Sequence, residues 1–270
     1  MKTNGFPENS ESSRPAPQTT VVSSTKPRTN KWIAWLSVLG ATVGMLVCVV
    51  VGLNLVAIVL LPFRSGFPAL RTPNVLTTLF ATGSIVGEAL MLLVLWRILR
   101  QKNDSLGRLG LWKSSPSIGW SVALLVAALS VVPGVRGLHN GALHLAYSKI
   151  LFEPSFFHIS VALILGCGAG FCEEILFRGY VMTRLSDAGY GAVVQVIASG
   201  ILFGLAHGLY ALSSGVSVGL DIMSHTALLG ALYAITYLLS RRSLMPCILA
   251  HFLNDAIVLP WVFLTMFSAR

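Results

Sequence analysis

Charge is scarce in this chain: only 11% of its 270 residues are Asp, Glu, Lys or Arg, where a soluble domain carries about 25%. That shortage excludes a disordered chain, a coiled coil and an ordinary cytosolic globule. Paired cysteine spacing is missing as well. Cys48, Cys167, Cys172 and Cys247 all lie in apolar stretches, which excludes a disulfide framework and a zinc knuckle and leaves them as small buried hydrophobes. Internal repeats and a glycine-rich phosphate loop are also absent.

What is abundant is apolar sequence: 54% of the residues are hydrophobic and the mean hydropathy is +0.76. Several uncharged runs reach the ~20 residues that cross a bilayer as a helix. An open sheet would leave edge polar groups unsatisfied in lipid. The expected fold is therefore all-α, a polytopic membrane helical bundle of about seven to eight transmembrane helices. The spans fall at 32–61, 75–99, 118–135, 156–186, 190–212, 217–239 and 244–267. Segment 136–155 is open between a loop, an interfacial helix and a re-entrant piece. Trp32 and Trp35 mark an interfacial belt, and Pro62 and Pro68 punctuate the end of the first span.

Residues 1–31 differ in composition. They are rich in Ser, Thr and Pro without apolar periodicity, so they are expected as a disordered cytoplasmic tail rather than a signal peptide. The net charge of +9 is carried in loops. It is read as orientation in the membrane, with lipid as the neighbour and no nucleic-acid partner. Fourteen Lys and Arg fall on the tail side of the expected topology and five on the other, which places the N-terminus inside and the C-terminus outside. Gly40/Gly44, Gly83/Gly87 and Gly200/Gly204/Gly208 repeat at the spacing of close helix contacts.

The informative residues are polar ones where lipid should be, since a charge at the centre of a membrane helix costs about 2.5–3.5 kcal/mol. In CEEILFRGY, Glu174 and Arg178 are i,i+4 in the favourable acid-first order and can pair. Glu173 points about 100° away, free to act as a general base. His207 ends the apolar stretch ILFGLAHG, with Phe203 one turn before it. In ILAHFLNDA, His251 and Asp255 share a helix face and Asn254 lies beside them. That spacing suits two ligands of one metal or a carboxylate orienting an imidazole. Each group alone also fits a bland structural role: a solvated helix end or an interhelical contact. Together they form a set suited to hydrolysis. Either carboxylate and imidazole hold and deprotonate a water, or Glu173, His207, His251 and Asp255 bind a divalent metal such as zinc that acidifies it. His207 is expected too near the outer face to meet Glu173 without a shift of its helix. Glu88, mid-span in ATGSIVGEALMLL, has no assigned role.

The ordered motifs EExxxR (Glu173, Glu174, Arg178), FxxxH (Phe203, His207) and HxxxD (His251, Asp255) resemble the CPBP family, which groups CAAX prenyl endopeptidases with the Abi bacteriocin-processing and self-immunity proteins. The similarity covers roughly 105–265. It implies a catalytic transmembrane core at 105–267, preceded by N-terminal transmembrane helices at 32–100. The resemblance implies an intramembrane endopeptidase with its site reached from the cytosolic side. Glu173 would activate water and His207 hold it. Glu174 and Arg178 would fix the helix, and His251 with residue 255 would stabilise the oxyanion or complete a metal site. Many members carry Asn where this chain has Asp255. An ionised Asp cannot donate to an oxyanion, so Asp255 is protonated, Asn254 substitutes, or Asp255 is a metal ligand. The expected substrate is a membrane-associated peptide or protein, and the expected location a bacterial plasma membrane. The competing functions are a non-catalytic immunity or partner-binding protein of the same fold and, with less support, an ion transporter.

Overall fold

The computed structural model describes Met1 and residues 29–60, 73–138, 156–208 and 215–268. Most of the N-terminal tail and most of segment 136–155 lie outside these described residues. The described residues form seven helical rods and no strand. They are α1 (Lys31–Leu60), α2 (Pro73–Gln101), α3 (Ser117–Leu138), α4 (156–187), α5 (Ala192–Ala206), α6 (Val216–Leu239) and α7 (Met245–Ser268). Four apolar helices are long enough to cross a membrane: Lys31–Val59, Thr77–Gln101, Ile159–Asp187 and Gly219–Leu239. Three apolar helices are shorter: Ser117–Ser130, Ala192–Ala206 and Met245–Pro260. Large aliphatic side chains on α1, among them Leu36, Val43 and Val47, point away from the protein, as lipid-facing side chains do. In lipid that exposure carries no hydrophobic penalty.

The core gathers around α4. Ile175, Leu176, Phe177, Val181, Met182 and Leu185 are all buried, against Phe203 of α5, Tyr237 of α6 and Leu244 and Cys247 near α7. α4 is not uniform. Phe156–Glu174 is α-helical, Ile175–Val181 is π-helical, and Met182–Asp187 returns to α. A π segment inserts residues into the turn and re-aims side chains, and such segments cluster at functional sites.

Small residues set how closely the rods approach, though not everywhere the spacing suggests. A Cβ at Gly52 would collide with Gly83 O and Gly87 N, so α1 and α2 touch backbone to backbone. On α5 a Cβ at Gly204 would stand 2.7 Å from Ala227 Cβ, and one at Gly200 2.9 Å from Ala227 O. Gly40 and Gly44 differ from the expectation: nothing lies within 4 Å of either Cβ position. They floor a cavity of about 310 Å³ between α1 and α2 instead. The cysteines also divide. Cys172 and Cys247 are buried, Cys48 is half-buried, and Cys167 is exposed.

One end of the bundle is locked by its turns. Leu244 N donates to Gly110 O at 3.1 Å, Tyr237 Oη to Leu109 O at 2.7 Å and Ser243 Oγ to Lys113 O at 2.7 Å. Gly110 adopts φ 102°, and a Cβ there would run into Arg242 O. Arg108 holds the end of α4 through Asp187 at 2.6 and 2.7 Å. Trp35 donates to Tyr190 Oη at 2.9 Å, bringing the start of α1 to the same end. Lys102, Arg108, Lys113, Arg184, Arg241 and Arg242 therefore gather here.

Candidate active site

Six of the seven site residues expected from the sequence come from α4 and α7, and the seventh, His207, caps α5. On α4, Arg178 is fully buried and its Nη1 pairs with Glu174 Oε1 at 2.8 Å. Its Nη2 donates to Gly230 O of α6 at 2.9 Å. Phe203 and Tyr233 flank the guanidinium at 4.5 and 5.1 Å. A buried charge needs a full set of partners, and Arg178 draws its own from α4, α5 and α6. It ties three helices together.

Glu174 does more than the expected pairing. Its Oε1 also accepts from His251 Nδ1 at 2.8 Å. The fixed carboxylate therefore orients the imidazole, with Arg178 behind it. Tyr233 stacks on the His251 ring at 5.2 Å and 22°, and Phe203 meets it edge-on at 5.6 Å. With Nδ1 committed, Nε2 is the ring atom left to face outward from this clamp. It stands 3.6 Å from Asp255 Oδ2 and 3.9 Å from Glu173 Oε2.

Glu173 is buried, and its Oε2 has no hydrogen-bond donor among the described residues. A separation of 3.9 Å between two polar atoms is the kind of gap that one solvent molecule bridges. Asn254 is buried and donates through Nδ2 to Asp255 Oδ1 at 3.2 Å. One N–H of its amide is thus engaged by Asp255, which accepts it beside His251.

His207 reaches the same region because it stands about as far along α5 from the basic end as Glu173 stands along α4. The helix stops at Ala206, not at 212 as the hydropathy suggests. At ~1.5 Å per residue its fifteen residues cover about 22 Å, less than the ~30 Å core of a bilayer. The expected mismatch in depth therefore disappears: Glu173 is fourteen residues from Asp187 and His207 fifteen from Ala192, about 20 Å in each case at helical rise. His207 Nδ1 donates to Phe203 O at 2.8 Å and occupies an end carbonyl of the helix. A carbonyl only accepts, so the hydrogen is on Nδ1. The ring packs on Phe203 at 4.7 Å and interacts electrostatically with His251 and Asp255.

Two features of the site go beyond the sequence motifs. Glycines at 166 and 170 of α4 face α7. A Cβ on Gly166 would stand 2.8 Å from Asp255 Cβ, and one on Gly170 3.2 Å from Phe252 N. They let α7 come close enough to bring Asp255 and His251 to the glutamates. Their alternation in GCGAG, just before Glu173 and Glu174, is the signal that could have found them. The π turn at Ile175–Val181 carries no comparable signal.

The donor set does not fit a metal ion as it stands. Among the described residues no three of His, Cys, Asp and Glu are placed to hold one. Glu174 Oε1 and His251 Nδ1 are already bonded to each other.

Comparison with known proteins follows the same residues. Residues 154–257 match the family described as type II CAAX prenyl endopeptidase Rce1-like, a family of proteases. No curated protein and no solved structure matches the chain. The matched stretch holds Glu173, Glu174, Arg178, His207, His251, Asn254 and Asp255, and over these residues this helical membrane protein is similar to that family.

Proposed function

We propose that this protein is an intramembrane endopeptidase of the CAAX type in which Glu173 activates the attacking water. The observation that carries this reading is one buried carboxylate oxygen, Glu173 Oε2, without a donor and 3.9 Å from the Nε2 of a clamped imidazole. A water between these atoms donates one hydrogen to Glu173. As its oxygen bonds to the scissile carbonyl carbon, the proton passes to the Glu173 carboxylate. The carbonyl oxygen becomes an oxyanion. The imidazolium of His251 donates to it through Nε2 while its Nδ1–H stays on Glu174, so the ring does not turn. Asp255 lies beside that ring and holds its charge. When the tetrahedral intermediate collapses, the proton on Glu173 goes to the departing amine. His207 holds the water with Glu173.

This route needs no metal, and none of its steps passes through one. The basic turn cluster fits a cytosolic end. Glu173 lies fourteen residues above Asp187 at that end, about 20 Å at helical rise. A substrate therefore reaches the site as an extended tail drawn into the membrane, and the C-terminal segment of a prenylated protein has that character.

Purified protein in detergent or vesicles, offered a fluorogenic prenylated C-terminal peptide, tests the reading. Glu173→Gln is expected to fold with a cooperative melting transition and to lower the cleavage rate by about 10²-fold or more. Wild-type rates in that mutant would refute the role of Glu173, and the non-catalytic reading would replace it.

A further inference from the structure

Among the described residues, Glu88 is the one buried acid outside the matched stretch. It lies on α2, only 4% exposed, and its Oε2 has no hydrogen-bond donor among the described residues. The same atom sits 3.5 Å from the place a Cβ on Gly168 would take, so the carboxyl is turned toward α4. Cys172, one turn further along α4, interacts electrostatically with both Glu88 and Glu173. The charged groups whose fields reach Glu88 are Glu173 from α4 and Asp255 and His251 from α7. All three belong to the candidate site. The glycines of GCGAG explain the arrangement. Gly166 and Gly170 admit α7, and Gly168, on another side of α4, faces Glu88 of α2.

Among the described residues Glu88 Oε2, Glu173 Oε2, Glu174 Oε2 and Asn254 Oδ1 are buried acceptors without donors in this region, and of these only Glu88 comes from α2. Buried polar groups are almost always hydrogen-bonded, and an orphan of this kind calls for a partner that comes from outside the chain. We propose that Glu88 is a positioning residue of the reaction centre: from α2 it accepts a hydrogen bond from the water that Glu173 activates, and fixes where that water stands. A water has two hydrogens, one for each carboxylate, and its oxygen lone pair is then turned toward the substrate carbonyl. The proposal rests on the peptidase reading for its effect on rate, but its geometry is independent of it.

Two measurements test it. The first is steady-state cleavage by Glu88→Gln, with Glu88→Asp as the second variant should the amide fail to fold. Either change leaves peptide binding intact and displaces the water, so kcat is expected to fall at least about tenfold while KM stays within twofold. A structural role would lower the amount of active protein or shift both constants. The second is a melting-temperature cycle of Glu88→Gln, Glu173→Gln and the double mutant. Relieving either acceptor removes part of the same defect, so the two shifts are expected not to add. Unchanged kcat in a folded variant, or shifts that add within error, would overturn the proposal. If wild type and Glu173→Gln cleave nothing, the peptidase reading fails, while the melting cycle still decides whether Glu88 and Glu173 share a partner.

Discussion

Arg178 concentrates the energetics of the site in one side chain. It is fully buried and bonded to Glu174 and to Gly230 O. Removing it leaves the buried Glu174 charge with His251 alone, and breaking a buried pair costs about 3–5 kcal/mol. Arg178→Met is expected to lower the melting temperature more than any single change at Glu173, measured by thermal scanning in detergent. Adding Glu174→Gln should recover part of that loss, because the stranded charge goes with it. Glu174→Gln alone separates two roles. It keeps a hydrogen-bond acceptor for His251 Nδ1 but removes the anion that holds the imidazolium. A fall of about tenfold or more in kcat with KM unchanged is expected, read from steady-state cleavage.

At the scale of elements, the site depends on how closely three helix pairs approach. α5 meets α6 closely, with Ala227 Cβ 2.7 Å from the Cβ position of Gly204. A leucine there would push α6 away and draw Gly230 O from Arg178. Overpacking of this kind costs about 1–3 kcal/mol. Gly204→Leu is expected to lower both the melting temperature and the cleavage rate, whereas Gly40→Leu, whose Cβ position meets nothing within 4 Å, should leave both near wild type. Comparing the two by thermal scanning and peptide assay separates a contact glycine from one that merely has the right spacing. The π segment of α4 is a second element-level device. It directly follows Glu174 and contains Arg178. The register of the pair relative to α6 and α7 is thus set by the π turn.

For the whole molecule, the turns at the basic end hold the rods in register. The connection after α2 is pinned to the turn between α6 and α7 through Gly110, which combines φ 102° with close approach to Arg242 O. Any side chain there is strained and collides with backbone. Gly110→Val is expected to lower the melting temperature and to reduce activity together, though it lies far from Glu173. Metal dependence is also a property of the assembled site. If the water is activated by Glu173 alone, cleavage should survive prolonged treatment with a chelator, followed by metal analysis of the treated protein. Loss of activity restored by added zinc would replace the Glu173 route with a metal-assisted one.

Hydropathy and the cost of charge in lipid were enough to expect a helical membrane bundle and to single out Glu173, Glu174, Arg178, His207 and His251, because a polar residue in an apolar run stands out in one dimension. The Glu174–Arg178 pair was legible for the same reason: i,i+4 neighbours on a helix meet whatever surrounds them. The sequence was silent where contacts span distant helices. Nothing local says that Glu174 also binds His251, seventy-seven residues away, or that Glu88 of α2 faces this centre. The depth of His207 relative to Glu173 is not legible because hydropathy places span boundaries too loosely to compare depths on two helices. Gly40 and Gly83 have the same spacing to their partners, yet only the latter meets another backbone. Spacing records what a helix face permits, and only the packed bundle decides which neighbour takes it up.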